Sequence, residues 1–287
     1  SVNDGEGIRS TVFFKGCSLR CQWCANPESW NGRPEVLYFR ERCSGCGRCA
    51  TVCPTGAATM VDGKSELDRT KCTACFKCCE VCPTGARKKM GSTVSVDEVL
   101  SVIKRDAIFY RESGGGVTFS GGEPFAQMEF LRQLATACQR LGIDTAVEAS
   151  GYFDWEQARD IIAGLDAVFV DIKHMDDAVH TARTGVGNQR ILANVAAISR
   201  LNPNTIVRVP LIEEVNANEQ NIRSLAEFLR EHTQVAGVEL LPYHEFGEAK
   251  YNAVGGVGHK FTTPDTAKIE KLKEILRECG IRIADFK

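Results

Sequence analysis

The chain has 287 residues, 43% of them hydrophobic and 25% charged, a globular mix that excludes disordered and fibrous classes. Its 35 basic and 37 acidic side chains leave a formal charge of −2, no electrostatic footprint for nucleic acid or an anionic membrane. No apolar run reaches the roughly 18 residues of a membrane helix, and no charged-then-apolar leader opens the chain, so a cytoplasmic monomer is expected.

Thr11 to Phe14 reads as a first strand, after which regular periodicity breaks down between Trp30 and about Met90. Ser95 with Glu98 forms a capping-box pattern opening a helix with Val99, Ile103 and Ala107 on one face. A strand at Val117 to Phe119 precedes a helix with Met128, Leu131, Ala135, Cys138 and Leu141 on one stripe. Next come a strand (Thr145 to Val147), a helix (Trp155 to Ile162), a strand (Ala167 to Ile172), a helix (Ile191 to Ser199) and a strand (Thr205 to Val209). Ile222, Leu225, Ala226 and Leu229 line another helix, Val238 to Leu241 is a sixth strand, and Thr263-Pro264 opens a last helix. Strands alternating with helices argue for an α/β fold with a parallel sheet, closed or open, carrying its active residues at the C-terminal ends of the strands.

Cysteine is the outlier, with twelve of the fourteen lying between Cys17 and Cys82. Disulfide frameworks belong to small secreted domains, so thiolates holding metal are the better reading. The segment CSGCGRCATVCPTGA from Cys43 is repeated as CTACFKCCEVCPTGA from Cys72, one unit duplicated. Each copy has the bacterial ferredoxin spacing, C-x2-C-x2-C-x3-C-P, in which the fourth cysteine serves the other cluster. On that rule Cys43, Cys46, Cys49 and Cys82 hold one [4Fe-4S] cluster, and Cys72, Cys75, Cys78 and Cys53 hold a second. Zinc would need pairs rather than duplicated quartets ending in Cys-Pro. Cys79 is surplus, a small buried residue or an alternative ligand; Cys138 and Cys279 fall on apolar helix stripes. The expected organisation is a barrel from residues 1–30 and 91–287, interrupted by a ferredoxin-like insert at 31–90.

Cys17, Cys21 and Cys24 form a separate C-x3-C-x2-C directly after the first strand. Three thiolates leave one iron of a third [4Fe-4S] cluster open, which marks reaction chemistry rather than structure. With DGEGIRS, FFKGC, SGGEP, VDIKHMD and LPYHEFG, this triplet resembles the radical S-adenosylmethionine enzymes. The closer resemblance is to the activating enzymes of glycyl radical enzymes, over nearly the whole chain. The resemblance implies a partial (β/α)6 TIM-type barrel with an inserted two-cluster domain. It also implies that S-adenosylmethionine chelates the open iron and is split by one electron to a 5′-deoxyadenosyl radical, which takes the α-hydrogen of a glycine in a partner enzyme.

By the same resemblance, Gly121, Gly122 and Glu123 receive the methionine amino group, glycine serving where backbone must approach a ligand. Trp23 flanks the adenine, with Asn26 as its polar neighbour; core packing is the alternative for Trp23. Glu148 lies near the methionine ammonium, Lys173, which with Asp171 ends the fourth strand, pairs with its carboxylate, and His244 lies at the nucleoside. Arg208, between two valines on a strand, needs a buried partner, structural or cofactor. Asp4 meets the partner's glycine segment. Two positions depart from the family pattern: Glu6 stands where Pro is usual, and Ala149 where the best-known activators carry Thr. Those activators hold a monovalent cation with the carboxylate at Glu148 and the Asp at Asp171; losing the hydroxyl weakens the case for such a cation, though Glu148 and Asp171 could still bind one.

The insert argues against the short activator of pyruvate formate-lyase and favours partners such as diol dehydratases, choline or isethionate lyases, and arylsuccinate synthases. A flavodoxin or ferredoxin would supply the electron. The alternatives are another radical enzyme of the superfamily acting on a small molecule or peptide, and a ferredoxin-type carrier fused to an inert barrel. RNA as substrate is disfavoured, because Arg87-Lys88-Lys89 is too short a basic run.

Overall fold

The computed structural model describes residues 5–284; Asp4 therefore lies outside the described residues. The chain opens on strand β1 (Arg9–Phe14) and leaves for the inserted segment: β2 (Glu35–Tyr38), α1 (Arg48–Thr51), β3 (Ala58–Val61), β4 (Lys64–Leu67), α2 (Lys77–Glu80) and β5 (Arg87–Met90). It returns through α3 (Val96–Ile103) and α4 (Ala107–Ser113) to β6 (Gly116–Gly121), α5 (Met128–Arg140), β7 (Asp144–Ala149), α6 (Trp155–Gly164) and β8 (Ala167–Asp171). The last part comprises α7 (Asp177–Thr184), α8 (Gln189–Leu201), β9 (Thr205–Leu211), α9 (Glu219–His232), β10 (Gly237–Pro242), α10 (Glu248–Ala253) and α11 (Thr266–Glu278).

The main sheet is wholly parallel and runs β1-β6-β7-β8-β9-β10. An order that never reverses keeps the crossover helices on one face, so the sheet curls as a barrel wall. No ladder joins β1 to β10 among the described residues, and the barrel is partial.

Strand alternation then sorts the side chains. Val117, Phe119, Val147, Val168, Val170, Val207, Val209 and Val238 face the helices and form the main core with Leu131, Leu134, Ile162, Ile198 and Leu225. Their neighbours in sequence, Ser120, Glu148, Asp171, Arg208 and Glu239, fall on the concave face by the same two-residue period. A sequence rule that buries valines on one side thus places polar and charged groups together on the other.

Several expectations need correction. The helix expected to carry Ala107 ends at Ile103, and a tight turn at Lys104–Asp106 separates it from α4. Its capping box is present, with Ser95 N donating to Glu98 Oε2 at 2.7 Å. The last helix is capped by Asp265, which accepts from Lys268 N at 2.7 Å, rather than by Thr263-Pro264. Leu141 lies past the end of α5 and is 47% exposed. Helices α7 and α10 add to the pattern read from the sequence.

In the insert, β2 pairs antiparallel with β5, and β3 with β4. Asp62 and Gly63 turn the β3–β4 hairpin with φ of 47° and 73°, the left-handed pair this tight connection requires. The two cysteine loops share a backbone. Gly45 and Gly47 have φ of 74°, and their counterparts in the second copy, Ala74 and Phe76, are held at 51° and 61°. A left-handed conformation costs a residue with a Cβ about 1–2 kcal/mol, so the second copy keeps the loop shape against local preference.

Candidate functional site

The C-terminal ends of the six strands open into a cavity of about 400 Å³. Its walls bring together Cys17, Cys21, Cys24, Trp23, Asn26, Gly121, Gly122, Glu148, Asp171, Lys173, Arg208 and His244. All fourteen cysteines are free thiols.

The triplet loop is held from three directions. Gly16 N donates to Ser29 O at 2.6 Å, and Arg20 N to Thr184 O at 2.6 Å, at the end of α7. From α10, the buried Tyr251 hydroxyl accepts from Cys24 N at 2.6 Å and donates to Cys21 O at 2.9 Å. Lys250 Nζ donates to Ala25 O and Asn26 Oδ1, both at 3.0 Å, and pairs with Glu28 at 2.7 Å. Asn26 therefore lines the cavity while fixed from behind. Sequence reasoning missed Lys250 and Tyr251 because a six-residue helix carries too little periodicity to be seen.

The glycines of SGGEP also meet a packing constraint. A Cβ at Gly121, whose φ is +100°, would lie 2.7 Å from the backbone N and O of Phe14, and one at Gly122 would lie 2.5 Å from Gly16 O. Glycine is required here because the backbone of β1 and its following loop presses against the turn. Glu123 follows in the same turn. Its side chain is buried and turned into the protein, where it accepts from Ser150 N at 2.8 Å, from the Ser150 hydroxyl and from Phe125 N at 3.2 Å. Burial pushes its carboxyl up to about 7, against the lowering by these hydrogen bonds.

The charged wall is a set of pairs. Arg208 bonds Glu239 Oε2 at 2.7 Å and Glu148, with its guanidinium over the Phe169 ring at 4.0 Å; Glu148 also accepts from the Ser120 hydroxyl. Arg208 thus has structural partners and still faces the cavity. Lys173 bonds Asp171 Oδ2 at 2.6 Å; burial opposes its charge, but Asp171 and the nearby thiols outweigh that and hold it protonated. Glu148 and Asp171 are each engaged by a cationic side chain, and the side chain of Ala149 adds no oxygen.

Trp23 combines both readings: it lines the cavity and packs edge-on against Phe261 at 6.0 Å within a cluster with Leu19 and Ile212. His244 lies at the rim, its ring 4.2 Å from that of Phe246, and burial lowers its pKa, favouring the neutral imidazole.

Two smaller cavities occupy the insert. One is lined by Cys43, Cys46, Cys49 and Cys82, the other by Cys53, Cys72, Cys75 and Cys78. The fourth cysteine of each copy has crossed to the other's cavity, the arrangement expected from the spacing. Three convergent sets of thiols, one of three and two of four, are a donor chemistry that fits iron–sulfur clusters. Cys79 lines neither small cavity. Cys138 is fully buried in the core, and Cys279 is half-buried against it.

Comparison with known proteins agrees with this arrangement. Residues 71–229 match the family model of the radical SAM superfamily, and residues 35–83 that of a 4Fe-4S dicluster domain. The chain is 43% identical over 280 residues to the trans-4-hydroxy-L-proline dehydratase activating enzyme of Clostridioides difficile, covering 96% of this chain and 92% of the relative. It is 43% identical over 260 residues to the (2S)-3-sulfopropanediol sulfolyase activating enzyme of Bilophila wadsworthia, covering 89% and 86%. Among solved structures, a domain of the pyruvate-formate lyase-activating enzyme from Bacteroides vulgatus superposes with a TM-score of 0.51 at 32% identity, covering 59% of this chain and 98% of that one. The chain belongs to the radical SAM superfamily and, within it, to the activating enzymes of glycyl radical enzymes.

Proposed function

We propose that the strand-end cavity is the S-adenosylmethionine site of this activating enzyme, where Cys17, Cys21 and Cys24 would hold a [4Fe-4S] cluster with one open iron. The observation that carries the reading is the convergence of these three thiols with Lys173, Asp171, Glu148 and Arg208 in one cavity. When bound, cluster and nucleoside together supply the one-electron cleavage that yields a 5′-deoxyadenosyl radical.

The chain's own residues provide orientation and exclusion of water. Lys173, charged and buried, is the natural counter-ion for the methionine carboxylate, and Glu148 for the ammonium. The flat ring of Trp23 and the neutral imidazole of His244 offer surfaces for the purine and ribose. Gly121 and Gly122 act through their backbone, and Glu123 positions that turn by clamping it to Ser150. Asp4 is the proposed contact to the partner's glycine segment.

In this reading the two insert quartets hold two further [4Fe-4S] clusters, and the organisation is a barrel of residues 1–30 and 91–287 around an insert at 31–90. A flavodoxin or ferredoxin supplies the electron, and the enzyme works as a cytoplasmic monomer. The relatives are named for a hydroxyproline dehydratase and a sulfopropanediol sulfolyase, so the partner is sought among glycyl radical enzymes of that kind. Anaerobic incubation with reductant, S-adenosylmethionine and each purified candidate, read by EPR, tests this. A glycyl radical doublet should develop on the cognate partner and fail to develop when Cys24→Ala replaces the native chain. Nucleoside release unaffected by any partner, with no radical on any of them, would contradict it.

A further inference from the structure

The duplicated insert breaks its own symmetry at one position. Twenty-nine residues separate the copies, so Arg87 stands where the first copy has Ala58. The backbone roles match: Ala58 N donates to Cys53 Sγ at 3.4 Å, and Arg87 N bonds the Cys82 thiol. The side chains do not. Arg87 is 2% exposed, among the largest fully buried side chains of the molecule.

Its guanidinium is placed between the two cysteine cavities. Arg87 lines the cavity of Cys43, Cys46, Cys49 and Cys82, while its Nη1 lies 4.0 Å from Cys78 Sγ, a wall of the other. Nη2 donates to Ser65 Oγ at 2.6 Å and Glu66 O at 2.7 Å, and Ser65 Oγ lies 3.2 Å from Cys49 Sγ. The guanidinium lies over the Tyr38 ring at 4.7 Å, Nε has no hydrogen-bond partner, and among the described residues no carboxylate pairs with the charge. A buried cation with no anionic partner is strongly unfavourable. The negative charge that compensates it must come from what the thiols hold: a cubane ligated by four thiolates is an anion and gains one more negative charge on reduction.

We infer that Arg87 is the shared counter-cation of the two insert clusters and holds both of their reduction potentials up. A fixed positive charge stabilises the reduced, more negative form of each cluster, and burial keeps it unscreened. The inference rests on the reading that each quartet carries a [4Fe-4S] cluster. Arg87 is a positioning and tuning residue; it is not placed on the substrate.

The test is a potentiometric EPR titration of the reconstituted full chain in a background with Cys17, Cys21 and Cys24 replaced by Ser, so that only the insert titrates. Iron and sulfide are counted first, and about eight irons per chain are expected. Fewer, with no reduced-cluster signal, would overturn the two-cluster reading and the inference with it. At full loading, Arg87→Gln should shift both reduction steps to lower potential, with Arg87→Lys between it and the native chain. Unshifted potentials at full loading would overturn the counter-cation role and leave the clusters standing. Should Arg87→Gln fail to load, loading by Arg87→Lys at near-native potentials would support the charge role, and failure of both would assign Arg87 to packing alone.

Discussion

Replacing Tyr251 by Phe isolates the tie between α10 and the triplet loop. The ring volume is kept, and with it the edge-on contact to Trp30 at 5.4 Å. Only the hydroxyl is lost, and with it the bonds to Cys24 N and Cys21 O, which keep their direct 3.1 Å bond to each other. A hydrogen bond contributes about 0.5–1.5 kcal/mol net. Losing two favours the open loop by about 2 kcal/mol, roughly thirtyfold in its population. The assay is iron release to a ferrous chelator from the anaerobically loaded enzyme. Tyr251→Phe should release about a third of its iron in a new fast phase, the share of one cluster in three, and the rest at the native rate. Superimposable traces, or equal acceleration of all the iron, would refute the assignment of Tyr251 to this loop.

Other outcomes follow from single features. Arg208→Ala leaves Glu148 and Glu239 facing each other without their cation, and should lower stability by about 3–5 kcal/mol, measured as a fall in the urea midpoint at constant slope. Ala74→Gly removes the left-handed strain and should stabilise the insert by about 1 kcal/mol, seen as slower loss of the clusters' visible absorbance in denaturant. Glu123 has its folded value raised to about 7 from an ordinary 4.5. The native state therefore binds the extra proton, and the group's contribution is full below pH about 4.5 and lost as pH rises through about 7, on the order of 3 kcal/mol. Urea titrations across that window should show a slope in the native chain that Glu123→Gln lacks; identical slopes would mean that Glu123 is not raised.

What the sequence made legible was whatever depends on short-range pattern. Alternating valines fixed the strands and, by the same parity, the inward placement of Glu148, Asp171 and Arg208. Cysteine spacing alone gave the two crossed quartets. What it hid depends on distant backbone meeting backbone. The reason for Gly121 and Gly122 lies at Phe14 and Gly16, more than a hundred residues away, and nothing near Glu123 signals that its carboxylate points at Ser150 instead of the cavity. Arg87 illustrates the limit most plainly. In sequence it heads a short basic run with Lys88 and Lys89, which are exposed; alternation puts Lys89 on the same face, so what buries Arg87 alone is its place between the two cysteine cavities.

The central claim is that the triplet in the strand-end cavity splits S-adenosylmethionine. The direct measurement is 5′-deoxyadenosine, followed by chromatography after anaerobic reconstitution with dithionite and S-adenosylmethionine, beside Cys24→Ala. The account predicts nucleoside from the native chain, carrying about twelve irons if all three thiol sets hold cubanes, and none from the variant. A full iron count with no nucleoside from the native chain, or equal nucleoside from both, would contradict it.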